Sequence, residues 1–130
     1  MRILVISLLT LFLAACGGDA GVEIGNRTTM EVEKVYDAGE VVKGELIRAK
    51  FVVKNTGKYP LVIADVTASC SCTVADFPDD PIKPGETGVI VATIDTDKTP
   101  KGKVNKSVNV TANTSPMVTE LKIKGTVKSK

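Results

Sequence analysis

Hydrophobic and polar positions alternate in short runs along most of this chain. Ile47, Ala49, Phe51 and Val53 recur every second residue, so a strand over residues 45–54 would turn one apolar face inward. A strand over 31–37 precedes it, closed by Ala38-Gly39. Asn55-Thr56-Gly57 follows as a tight turn, since asparagine and glycine tolerate positive φ. Leu61, Ile63 and Val66 begin a third strand, and their change of spacing from two to three predicts a bulge. That strand continues towards Ala68-Ser69-Cys70-Ser71-Cys72-Thr73.

Residues 76–85 hold three prolines and three aspartates and read as loop, ending in a type II turn at Lys83-Pro84-Gly85-Glu86. Residues 88–96 are apolar from Val89 to Ile94 apart from Thr93, which suits a strand with both faces partly covered. After a polar connection over 97–102, Val104, Val108, Val110 and Ala112 alternate, with Lys106 interrupting their face. Residues 113–116 turn. Leu121, Ile123 and Val127 then form the last strand, with Lys122, Lys124 and Lys128 on a solvated face that would resist edge pairing. About seven strands with turn signals every eight to twelve residues predict an all-β, immunoglobulin-like antiparallel sandwich.

The N-terminus breaks the pattern. Arg2 precedes residues 3–15, which are apolar apart from Ser7 and Thr10, too short a run to span a bilayer and without the polar face of a surface helix. It ends in Leu13-Ala14-Ala15-Cys16, which resembles a bacterial lipobox. The resemblance implies a signal peptide over 1–15 and a lipidated Cys16 as mature N-terminus, and two or more acyl chains anchor stably. Gly17 rather than aspartate follows the cysteine, which points to the outer membrane facing the periplasm. Residues 16–29 read as a flexible tether and 30–130 as a single domain.

Charge and composition narrow the function. The net charge is +2, and loss of Arg2 with the leader leaves sixteen cations against fifteen anions. Such a balance gives no strong attraction to nucleic acid. The chain has no histidine, which removes Ser-His-Asp and Cys-His catalysis and imidazole zinc sites. Asp95-Thr96-Asp97-Lys98-Thr99 has a weak likeness to a calcium loop, but Pro100 stands where glycine is needed. Asp76, Asp79 and Asp80 read as solvated loop residues.

Phe51-Val52-Val53-Lys54-Asn55-Thr56-Gly57, Pro60-Leu61-Val62-Ile63, Ser69-Cys70-Ser71-Cys72-Thr73 and Pro81-Ile82-Lys83-Pro84-Gly85 follow one another in order. The series resembles the bacterial family called domain of unknown function 1573, over about residues 36–127. The resemblance implies an immunoglobulin-like sandwich related to ciliary, centrosomal and major sperm protein domains, which serve mainly in binding. Asn55, Gly57, Pro84 and Gly85 belong to its turn motifs. Ser71 stands where the family has glycine, so a left-handed residue between the cysteines is lost.

Cys70 and Cys72 carry the remaining chemistry. Residues two apart on a regular strand have Cα atoms roughly 6.6 Å apart. A bond between them would need a bulge or bend and would be strained and easily reduced. An exported domain favours a disulfide, because with Cys16 lipidated these two thiols are left to pair. Reduced structural cysteines remain open, as does a soft metal site holding Cu(I), with Met30 or Met117 as candidate helpers. The expectation is therefore a non-enzymatic, lipid-anchored envelope protein that binds another protein and needs no cofactor. The alternative is a thiol-redox or copper-handling protein that uses the cysteine pair.

Overall fold

A computed structural model describes residues 26–130; the leader, the lipobox and most of the expected tether lie outside the described residues. Eight strands form among the described residues: β1 (Met30–Val32), β2 (Val35–Val42), β3 (Leu46–Asn55), β4 (Ile63–Ala68), β5 (Thr73–Asp76), β6 (Thr87–Asp95), β7 (Gly102–Ala112) and β8 (Val118–Lys128). They make two four-stranded sheets, ordered β1-β3-β6-β5 and β2-β8-β7-β4. Ladders are antiparallel except β2 on β8, which is parallel. The two sheets enclose one core, which gives the sandwich that the alternation predicts.

Inward positions match the periodicity closely. Ile47, Ala49, Phe51 and Val53 are buried on β3; Val104, Val108, Val110 and Ala112 on β7; Leu121, Ile123 and Val127 on β8. Lys122, Lys124 and Lys128 are exposed as expected. They do not guard an edge, however, because β8 is an inner strand between β2 and β7. The bulge expected between Ile63 and Val66 appears as a register shift between Ile63 and Asp65.

The first predicted strand is two strands. β1 pairs with β3, the chain leaves that sheet at Glu33-Lys34, and β2 joins the opposite sheet beside β8. Ala38-Gly39 does not close it but forms a bulge inside β2, where the register shifts between Asp37 and Glu40. Gly39 takes φ +64°, a left-handed value suited to glycine, and its N–H donates to Asp37 Oδ1 at 2.8 Å. The Asp37 carboxylate thus fills the donor that the interrupted ladder leaves without a strand partner.

The domain also starts earlier than expected. Thr28 is buried, and its N–H donates to the Asn113 carbonyl at 2.9 Å. Asn113 in turn donates from Nδ2 to the Asn26 carbonyl at 3.0 Å. The end of the expected tether over 16–29 is therefore docked on the sandwich, because threonine and asparagine supply hydrogen bonds that a composition argument does not see.

Candidate functional site

The cysteine segment is not the continuation of a strand. β4 ends at Ala68 in one sheet and β5 starts at Thr73 in the other, so residues 69–72 form the corner between them. Ser69 holds the near side against β7: its N–H donates to Ser107 O at 2.9 Å, and its Oγ accepts from Ser107 N at 3.1 Å. Thr73 N–H closes the turn on Cys70 O at 3.3 Å, and Cys72 O accepts from Asp95 N at 3.0 Å. Within this corner Cys70 and Cys72 are joined as a disulfide, with Cα atoms 5.3 Å apart. That separation is ordinary for a bridged pair and shorter than a regular strand allows. No residue other than glycine has positive φ among the described residues, so the corner bends at Ser71 without the glycine of the family pattern.

The two sulfurs sit in different surroundings. Cys72 is 8% exposed and belongs to the core, whereas Cys70 is half-buried at its margin. The buried Thr73 hydroxyl lies 3.5 Å from Cys70 Sγ and 3.7 Å from Cys72 Sγ, within hydrogen-bonding reach of either. Thr73 escaped the sequence reading, although its place directly after Cys72 was the available signal.

Met30 and Met117 do not join this site. Met30 pairs with Asn55, and Met117 O accepts from Ala112 N, opposite Ile63. Cys72 lies by Asp95, whose partner on β3 is Leu46. The methionines thus stand at the other end of the sandwich, roughly 30 Å of β3 away. Among the described residues, no three acidic or cysteine side chains group to hold a metal ion.

The turn motifs meet at that far end, around Asn55. Its side chain is fully buried and uses its whole capacity. Nδ2 donates to Tyr59 O at 2.7 Å and Ile82 O at 2.8 Å, while Oδ1 accepts from Thr28 Oγ1 at 2.9 Å and Gly57 N at 3.0 Å. Asn55 is therefore the last inward residue of β3, not a positive-φ turn residue. Gly57 has ordinary φ too; its need for glycine is space, since a Cβ would strike Thr28 Oγ1 and stand 2.7 Å from Thr29 N. Pro84-Gly85 forms the expected type II turn, with Gly85 at φ +81° and Glu86 N–H donating to Lys83 O at 3.0 Å.

The weak calcium motif is a capped corner. Asp95 Oδ1 accepts from Asp97 N at 3.0 Å and caps a short 3-10 turn, Thr96–Lys98. The Thr96 hydroxyl, fully buried, donates to Glu45 O at 2.5 Å and accepts from Gly44 N at 2.9 Å.

The family model described as "Protein of unknown function (DUF1573)" matches residues 29–127. The chain belongs to this family. None of the curated proteins compared with the chain is similar enough to count as a match. Among solved structures, a protein of unknown function from Porphyromonas gingivalis W83 superposes with a TM-score of 0.69 at 20% identity, covering 84% of this chain and 51% of that one. The seventh PapD-like domain of human CEP192 gives 0.64 at 9% identity, over 80% of this chain and 88% of that one. The secreted serine protease VesC from Vibrio cholerae gives 0.60 at 8% identity, over 77% of this chain and 23% of that one. At such identities the likeness is one of fold: DUF1573 here is an immunoglobulin-like, PapD-like sandwich. The chain spans about half the Porphyromonas protein and about a quarter of VesC.

Replacing both cysteines should leave the domain folded. The ring that the disulfide closes is tiny, so it restrains the unfolded chain little. Cys70→Ser with Cys72→Ser is expected to cost about 1–2 kcal/mol, mainly through packing around Cys72. Urea denaturation measures this. Mass spectrometry after alkylation without reductant should find the native pair unmodified and two hydrogens lighter; two alkylated thiols would show that the cysteines are reduced in the cell.

Proposed function

We propose that this DUF1573 protein is a lipid-anchored component of the cell envelope whose sandwich binds another protein and has no catalytic activity of its own. The observation that carries the binding half is the outer face of the β1-β3-β6-β5 sheet. Val52 and Val89 are cross-strand partners there, exposed by 56% and 44%, with Val91 half-buried next along β6; Val74 at 66% stands beside Thr93, and Leu46 at 50% lies beyond Lys50 and Arg48. Apolar side chains grouped on one face of a sheet mark an interaction surface more often than an idle one. The PapD-like architecture supports the same reading, as a scaffold that presents surfaces without a reaction centre.

The lipobox Leu13-Ala14-Ala15-Cys16 supports the anchor, with Gly17 favouring the outer membrane and a sandwich in the periplasm. Cells fed a fatty-acid analogue should label the wild-type protein and not Cys16→Ser, which should move to the soluble fraction. Label at wild-type level on Cys16→Ser would sink the anchor. Crosslinking the intact lipoprotein in solubilised envelope should yield a discrete protein adduct; failure to capture any adduct across crosslinker lengths would count against the binding module.

A further inference from the structure

β1 covers β3 only in part. Its pairing runs from Asn55 to Val53 and stops, so no strand pairs with residues 46–52 on the side away from β6, among the described residues. The backbone direction of this free stretch follows from its end. Asn55 N–H donates to Glu86 O and Asn55 O accepts from Gly85 N, both on the β6 side, while Thr56 N–H donates to Thr29 O on the β1 side. Backbone groups alternate sides along an antiparallel strand. Leu46, Arg48 and Lys50 therefore aim their N–H and C=O groups into the open edge.

Where the chain leaves β1 for the other sheet, it opens a cleft of about 270 Å³ along this edge, with Glu33, Val35, Tyr36 and Asp37 on one side and Lys50, Phe51 and Val52 on the other. We propose that the free edge of β3 takes up an acidic, extended segment of a partner protein as an additional strand. The proposal deepens the binding-module reading and rests on it.

Charge selects the occupant. The outward side chains along the free edge are Leu46, Arg48, Lys50 and Val52, with Lys54 next in the row. A second copy would pair antiparallel about a two-fold axis. Every register overlapping three or more of the open positions then sets Arg48 against Arg48, Arg48 against Lys50 or Lys50 against Lys50. Like charges directly opposite one another destabilise a sheet, so the edge rejects its own copy. A strand with carboxylates at alternate positions meets Arg48 and Lys50 favourably. Its intervening side chains point the other way, into the cleft beside Tyr36 and Phe51, where Glu33 and Asp37 would repel a carboxylate, and are best apolar. The fitting partner is an alternating acidic and apolar segment, held by main-chain hydrogen bonds and selected by its side chains.

The test uses the full chain in detergent and a blocked, fluorescent seven-residue peptide alternating glutamate and valine, read by anisotropy. This peptide should bind at least about tenfold more tightly than its lysine–valine counterpart. Arg48→Glu with Lys50→Glu should reverse that preference. Lys50→Pro should abolish binding while Lys50→Ala only weakens it, because proline removes an outward N–H and leaves the β3–β6 ladder intact. Should Lys50→Pro fail to fold, the peptide itself decides: N-methylation at every second residue should prevent binding in one parity and spare it in the other. No binding of the glutamate–valine peptide, equal binding of both charge types, or binding of both methylated parities would overturn the proposal. So would a concentration-dependent dimer formed through β3. In the envelope crosslinking experiment, adducts equal for wild type and Lys50→Pro would overturn the edge site and leave the binding module standing; absence of any adduct with either would overturn the module itself.

Discussion

Phe51→Ala should lose about 3–5 kcal/mol of unfolding free energy, measured by urea denaturation of the full chain in detergent. Phe51 sits inward at the middle of β3, 3% exposed, with Val53 and Ala49 flanking it on the same face. Its ring meets Tyr36 edge-on at a centroid distance of 6.2 Å and an interplanar angle of 64°. It is one of only three phenylalanines in a chain without tryptophan, so few neighbouring side chains have the bulk to refill the space. Truncation therefore leaves a cavity between the sheets and strips the half-buried Tyr36 of its partner. A loss below about 1 kcal/mol would mean that the core around Phe51 collapses freely, contrary to the packing described.

Asn55→Ala should cost about 3 kcal/mol or more. The side chain serves four partners, and its removal leaves the Tyr59 and Ile82 carbonyls, the Gly57 N–H and the Thr28 hydroxyl without it. A buried polar group stripped of its partner costs about 1–3 kcal/mol, although relaxation of the exposed turn recovers part of that. Asn55→Asp distinguishes hydrogen bonding from shape. The carboxylate keeps the size but cannot donate, so it faces two carbonyls at 2.7 and 2.8 Å and should be at least as damaging as alanine. Chemical denaturation followed by circular dichroism reads both; an Asp variant as stable as wild type would refute the hub.

The sequence showed the faces of the sheets well and their neighbours poorly. Period-two alternation marks Ile47 to Val53 and Leu121 to Val127 as inward because every side chain obeys the same pleat. Asn55 continues the parity of Ile47, Ala49, Phe51 and Val53, so its burial was legible too, masked by the habit of reading Asn-Thr-Gly as turn. Strand order carries no such local signal. Lys122, Lys124 and Lys128 look like an edge strand, yet β2 arrives from the other end of the chain to cover β8. Two of the sheet crossings, at Glu33-Lys34 and at residues 69–72, were invisible for a related reason: a strand that changes sheet keeps its alternation on both sides of the break. Cys70 and Cys72 stood out from the start, but only the crossing explains how residues two apart come close enough to bond.

The parallel pairing of β2 with β8 has a consequence for how the protein is born. Ribosomes deliver a chain from its N-terminus. Among the described residues β2 is an early strand, and its ladder is with the last of them, Val118–Lys128. Until β8 emerges, the second sheet lacks the inner strand that joins β2 to β7. Nascent chains of this kind stay open late, since contacts so distant along the sequence form slowly. A chain stopped before residue 118 would leave β2 without its ladder partner, so such copies should be substrates for holdases and proteases.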